Sequence, residues 1–168
     1  EAHDQDVHET AVGFKWVAEA MAEHDALFGG EESGGFGLTD HLRNKDGVLL
    51  ALVAAAAESE KSLDARVDDL IEAYGEIHQS RISVDCPDDR KGPVLSDLET
   101  ELPETVAGVD VDGINTIDGF KVRLEDGTWL LMRPSGTEPK LRIYAEAGSE
   151  SRVEELLEAG RDLVEPLV

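Results

Sequence analysis

Residues 120–147 constrain this chain more than any other stretch. Phe120, Val122 and Leu124 alternate with Lys121, Arg123 and Glu125, Asp126-Gly127 supplies a tight turn, and Thr128–Met132 runs back. A period of two sends neighbouring side chains to opposite faces of a sheet, so this pattern demands an antiparallel hairpin with one apolar face. Lys140–Ala147 repeats the alternation, with Leu141, Ile143, Ala145 and Ala147 on one face and Lys140, Arg142 and Tyr144 on the other. Such a face needs a cover. Val153, Leu156, Leu157, Gly160 and Val164 recur at helical spacing and supply it, behind Ser151-Arg152-Val153-Glu154, which reads as a capping box. Strands with helices packed on one side predict an α+β domain.

Between the two strand patterns lies Arg133-Pro134-Ser135-Gly136-Thr137-Glu138-Pro139. Arg133 offers a planar fork of donors to a phosphate, Ser135 and Thr137 add hydroxyls, and Gly136 lets backbone N–H groups come close. The same residues also read as a type I turn, with Pro134 at its second position and Gly136 at its fourth.

The first half has a different texture. Asp6–Thr10 suits a short strand, and Phe14, Val17, Ala18 and Met21 mark one face of an amphipathic helix with Lys15 on another. Lys15 taken alone reads as a solvated side chain. Ala26-Leu27-Phe28 forms a short apolar strand leading into Gly29-Gly30-Glu31-Glu32-Ser33-Gly34-Gly35-Phe36-Gly37. The spacing of these glycines does not fit a dinucleotide fingerprint, and two carboxylates would repel a pyrophosphate. Glu31 can accept hydrogen bonds from neighbouring sugar hydroxyls and Ser33 can add one more; the bland alternative is a mobile acidic loop.

Asp46 is placed to cap an apolar helix from Val48 to about Glu58, expected to be buried on most sides. Ser62 is placed to cap a second helix with Leu63, Val67, Leu70, Ile71 and Tyr74 on its face, and Gly75 to end it. A domain boundary is expected near Gly75–Gln79, giving domains 1–76 and 77–168. Beyond it, Ser80–Val84 reads as a strand, Asp88–Glu101 as a helix and Thr105–Thr116 as a β-favouring stretch. The spacing within Asp110-Val111-Asp112-Gly113 does not fit a calcium loop.

Composition narrows the function. With 15 basic and 38 acidic side chains the net charge is −23, which repels nucleic acid and anionic membranes and matches the surface of a cytoplasmic protein from a salt-loving cell. Cys86 is the only cysteine, so no intrachain disulfide forms. Glu1–Val7 lacks the pattern of a signal peptide and has no initiating methionine, so the chain is expected to start inside a longer one. The apolar run Val48–Ala57 is too short to span a bilayer.

Arg133–Tyr144 resembles the C-terminal phosphate-binding loop of the α-D-phosphohexomutases, and Gly29–Gly37 resembles their sugar-recognition loop. Glu9-Thr-Ala-Val-Gly-Phe-Lys15 and Lys45-Asp46-Gly47 resemble the segments before and after that loop, so the likeness runs nearly end to end. The resemblance implies the last part of an α/β third domain followed by a fourth domain that is α+β, an antiparallel sheet with helices on one face, similar to the TATA-box-binding protein. It implies sugar binding by Lys15, Glu31, Ser33 and Gly34, and phosphate binding by Arg133, Ser135, Gly136 and Thr137, with Arg142 as a secondary candidate.

By the same resemblance the whole enzyme interconverts hexose 1-phosphate and hexose 6-phosphate through a phosphoserine and a bisphosphorylated intermediate, with Mg2+. The family's serine loop and its magnesium loop have no counterpart in this sequence, so no catalytic or metal-binding residue is assigned here and no turnover is expected of this chain alone. Its partners would be a hexose phosphate and the N-terminal domains of the same enzyme, with no nucleic acid and no membrane. Glu31-Glu32-Ser33-Gly34-Gly35 is closer to the glucose and mannose branch than to the glucosamine branch. A free-standing phosphosugar-binding module and a non-binding remnant are the alternatives.

Overall fold

A computed structural model describes residues 5–168, so the reading of Glu1–Val7 lies in part outside the described residues. The chain divides into two compact units, the first ending at Ala73 and the second running from Tyr74 to Val168.

In the first unit, helix α1 (Phe14–Glu23) buries Phe14, Val17 and Met21, the spacing the sequence predicts. Strands β1 (Phe28–Gly30) and β2 (Phe36–Leu38) pair antiparallel, Gly29 opposite Gly37. The glycine-rich stretch is therefore mostly a hairpin, and only Glu31–Gly35 is loop. Gly29 faces α1, where a Cβ would come within 2.5 Å of the Met21 sulfur. Asp6–Thr10 forms no strand: no strand pairing reaches it in the structure, and a strand persists only when its backbone groups find a ladder.

Helix α2 (Gly47–Glu60) starts as expected, with the Asp46 carboxylate accepting from the Leu49 N–H at 2.9 Å. Helix α3 (Leu63–Tyr74) is capped by Ser62, whose Oγ accepts from Ala65 N–H at 3.2 Å, and Gly75 ends it at a φ of 89°. The expectation that α2 is buried is corrected. Neither helix buries a residue, and Leu52 and Leu70 are 65% and 57% exposed. An apolar pattern states a preference for burial, but burial itself needs a neighbouring layer.

The second unit carries the platform for the site. Strands β3 (His78–Asp85), β4 (Thr105–Val106), β5 (Val109–Asn115), β6 (Phe120–Leu124), β7 (Trp129–Pro134) and β8 (Lys140–Ala147) form one antiparallel sheet in the order β3-β8-β7-β6-β5-β4. Helices α4 (Lys91–Glu101) and α5 (Glu150–Val164) cover the apolar face, Val94, Leu98, Leu156 and Val164 meeting Val122, Leu130, Met132, Leu141 and Ile143 in one core. Gly160 admits the close approach of α5, since a Cβ there would lie 2.7 Å from Ile143.

Three local expectations change. The last helix is capped by Ser149, which accepts from Arg152 N–H at 3.3 Å, and Ser151 lies inside the first turn. Helix α4 starts at Lys91 rather than Asp88, because residues 88–90 form a turn. The β-favouring stretch is two strands, turning at Ala107 and Gly108 with φ of 48° and 78°. Positive φ at two consecutive residues is the tight-hairpin geometry, and alanine there hides the signal that Asn-Gly would give.

Candidate binding loops

The sugar-loop candidates sit at the tip of the β1–β2 hairpin. Glu31 N–H donates to the Gly35 carbonyl and Gly34 N–H to the Glu31 carbonyl, both at 2.9 Å, closing a tight turn with Gly34 at a φ of 91°. The Glu31 carboxylate is held from two sides, by Gly13 N–H at 3.2 Å and by Lys45 Nζ at 3.0 Å. Lys45 reaches it by lying across Gly35, where a Cβ would stand 2.4 Å from the lysine stem. Ser33 is exposed at the tip.

Lys15 does not join this group. Its ammonium lies 4.2 Å from the centre of the Trp16 ring, and Lys45, spaced 14 residues from Glu31, provides the cation instead. Only the sequel motif Lys45-Asp46-Gly47 hinted at that position.

The phosphate-loop candidates lie between β7 and β8. Pro134 is the last residue of β7, paired with Leu141, so the turn is not built on it; the loop proper is Ser135–Pro139, closed by Ser135 N–H donating to the Lys140 carbonyl at 2.9 Å. Ser135 is 6% exposed, and its Oγ accepts from Glu138 N–H at 3.3 Å and, more distantly, Thr137 N–H at 3.5 Å. It braces the loop from inside. Thr137 is exposed, and an ideal Cβ built on Gly136 meets nothing within 4 Å.

Arg133 and Arg142 are directly opposite in the β7–β8 register, so both guanidinium groups stand on the sheet face away from the core, beside the loop. Directly opposed residues of an antiparallel pair share a face. Arg133 donates to Asp118 at 2.8 Å and to the Tyr144 hydroxyl at 3.4 Å, leaving most of its five donors for another acceptor. Arg142 donates to Glu138 at 2.9 Å. That bond and the charge of Lys140 hold the Glu138 carboxyl below its usual range, and the same partner raises Arg142.

Nothing in the sequence pattern singles out Asp118 as a partner of Arg133. Gly119 has a φ of 106° and packs on β7, a Cβ there lying 2.6 Å from the Met132 carbonyl. That close approach carries Asp118 to Arg133.

Two histidines pair with nearby carboxylates, and the thiol is buried. The His41 ring meets Asp46 and the His78 ring Glu76, each at 2.9 Å, while burial pushes the Cys86 thiol up. Among the described residues, no three His, Cys, Asp or Glu side chains are grouped to hold a metal ion, and no helix is long and apolar enough to cross a membrane.

Both units match known proteins. Residues 1–74 match the family model described as phosphoglucomutase/phosphomannomutase, alpha/beta/alpha domain III, and residues 82–163 match that of the phosphoglucomutase/phosphomannomutase C-terminal domain. A protein named "Probable phosphoglucosamine mutase" from Methanothermobacter thermautotrophicus is 36% identical over 163 residues, covering 97% of this chain and 35% of its own length. One named phosphoglucomutase/phosphomannomutase from Thermococcus kodakarensis is 37% identical over 161 residues, covering 95% of this chain and 33% of its own.

The chain thus spans about a third of the length of these relatives. The crystal structure of a phosphoglucomutase/phosphomannomutase family protein from Burkholderia thailandensis superposes with a TM-score of 0.69 at 20% identity, covering 94% of this chain and 32% of that one, and so shares its fold.

Proposed function

The chain belongs to the phosphoglucomutase/phosphomannomutase family, and on that premise we propose that it is the substrate-recognition part of a phosphohexomutase acting on glucose or mannose phosphates. Arg133, Arg142, Gly136 and Thr137 receive the phosphate of a hexose phosphate, with Ser135 bracing the loop beneath it. Glu31, Ser33 and Gly34 read the sugar hydroxyls, and Lys15, turned onto the Trp16 ring, would have to swing away from it to reach the sugar. The observation that carries this reading is the pair of opposed arginines beside a loop whose central glycine is open. Each arginine already holds one carboxylate, Arg133 that of Asp118 and Arg142 that of Glu138, and the donors they leave over can fork onto a phosphate.

In the whole enzyme a serine outside this chain would pass its phosphoryl group to one end of the sugar, and the other end would return its phosphoryl group to the serine. A fixed cradle for one phosphate leaves the other free to face the serine. The magnesium ion implied for that reaction finds no ligand set among the described residues, and the binding chemistry assigned here does not involve it. Alone, the chain binds but does not turn over. The full-length enzyme would be cytoplasmic, its N-terminal domains being the partners of this chain; its acidity would suit high salt, so the melting temperature should fall on dialysis from molar to millimolar salt.

The test is calorimetric titration of the chain, in molar salt, with glucose 1-phosphate and with inorganic phosphate. Tighter binding of the sugar phosphate, lost in Arg133→Ala, is expected. Equal binding to wild type and variant would overturn the assignment of Arg133. Glucosamine 6-phosphate binding more tightly than its glucose counterpart would move the substrate to the amino-sugar branch.

A further inference from the structure

Lys91 is the first residue of α4 and lies under the loop between β7 and β8. Its Nζ donates to the Ser135 carbonyl at 2.6 Å, the Glu138 carbonyl at 2.7 Å and the Asp88 carboxylate at 2.6 Å. An ammonium has three donors, so all are engaged, and the side chain is only 13% exposed. Helix stability does not explain the residue: a cation in the first turn opposes the helix dipole. Nor does a simple ion pair, since two of the three acceptors are neutral carbonyls 44 and 47 residues away.

We infer that Lys91 is a positioning residue for the phosphate loop. It draws the carbonyl oxygens of residues 135 and 138 toward α4, and so keeps these partial negative charges off the side where the anion binds. A peptide group rotates as a unit, so fixing the Ser135 carbonyl toward α4 turns the Gly136 N–H the opposite way, and fixing the Glu138 carbonyl holds the far side of the loop. The remaining end is fixed in the same manner, Cys86 N–H donating to the Pro139 carbonyl at 2.9 Å. The segment from Cys86 to Lys91 is thus a bracket behind the loop, and the side opposite, above Gly136, is open. An anion site gains from donors set before the ligand arrives, because their ordering cost is already met. This inference rests on the reading of Ser135–Pro139 as a phosphate loop.

The experiment compares wild type, Lys91→Met and Lys91→Arg by titration with inorganic phosphate and by amide hydrogen exchange at Ser135–Glu138. Methionine fills the slot without donors; arginine keeps charge and donors. With phosphate-binding wild type, Lys91→Met should weaken affinity by about tenfold, speed exchange of the loop amides and leave those of Leu130 and Ile143 unchanged. Lys91→Arg should restore most of the affinity, which a role in core packing alone would not produce.

Unchanged affinity in Lys91→Met overturns the inference. If wild type does not bind phosphate, the binding reading has failed on its own, and loop exchange decides the bracket: faster in Lys91→Met supports it, unchanged refutes it. Should Lys91→Met not fold, Lys91→Gln carries the same comparison with fewer donors.

Discussion

The two candidate loops rest on very different foundations. The loop between β7 and β8 grows out of a six-stranded sheet whose apolar face is closed by two helices, and its arginines, carboxylates and lysine are joined in one network. The Glu31–Gly35 loop tops a two-stranded hairpin whose buried cluster is Phe14, Val17 and Met21, next to two helices that bury nothing. Both loops are short turns between antiparallel strands. The difference lies beneath them: a complete core holds one loop as a rigid template, while the other depends on a few local hydrogen bonds.

The sharpest way to break this comparison is a pair of truncations. Ile143→Ala should cost roughly 2–5 kcal/mol, as fully buried aliphatic residues do, whereas Leu52→Ala should stay within about 0.5 kcal/mol because its side chain is mostly in water. Denaturant unfolding measures both, and comparable costs would mean that α2 is covered in solution. Next in size is Gly119→Ala, where a positive φ and a backbone contact at 2.6 Å should together cost about 1–3 kcal/mol and pull Asp118 from Arg133.

A smaller effect separates the loops by ligand. Glu31→Gln should lower affinity for glucose 1-phosphate by about tenfold while leaving inorganic phosphate binding unchanged, the loss of a charged acceptor from the hydroxyl reader alone. Gly136→Ala meets no steric obstacle, so its melting temperature should match wild type while phosphate affinity drops. A variant that binds phosphate normally would place the anion elsewhere on the loop.

The smallest effect is a matter of pH. Each unit has a carboxyl held below its usual range, Asp46 by the Leu49 N–H and the His41 ring, Glu138 by the Arg142 hydrogen bond and the charge of Lys140. A depressed folded pKa contributes stability above the unfolded value, and that contribution disappears as pH falls through the folded value. Acidification into and below the ordinary carboxylate range should therefore open both contacts. Carboxyl titration by NMR should put the Glu138 midpoint under that of an unstructured glutamate, and Arg142→Gln should move it back up.

Much of this was legible in the chain. The faces of β6, β8, α1 and α5 follow from periodicity, and Asp46, Ser62 and Gly75 mark helix ends through local hydrogen bonding and backbone freedom. The cap of α5 was misplaced by two residues, because Ser149 and Ser151 offer the same hydroxyl and only the backbone at Ser149, with φ −154° and ψ 152°, leaves the helix. That each loop lies between two strands was readable from residue types, yet the partners of their side chains were not.

What the sequence by itself determined was whatever depends on neighbours a few residues apart: element type, the apolar face of each strand, the turns at glycine. Tertiary structure alone decided that Asp118 meets Arg133, that Lys91 braces Ser135 and Glu138, that Lys45 rather than Lys15 meets Glu31, and that α2 lies open. The physical reason is range. Periodicity and capping follow from local sterics and hydrogen bonds, whereas a contact across 44 residues exists only once β3 has paired with β8 and set the start of α4 beside the loop between β7 and β8.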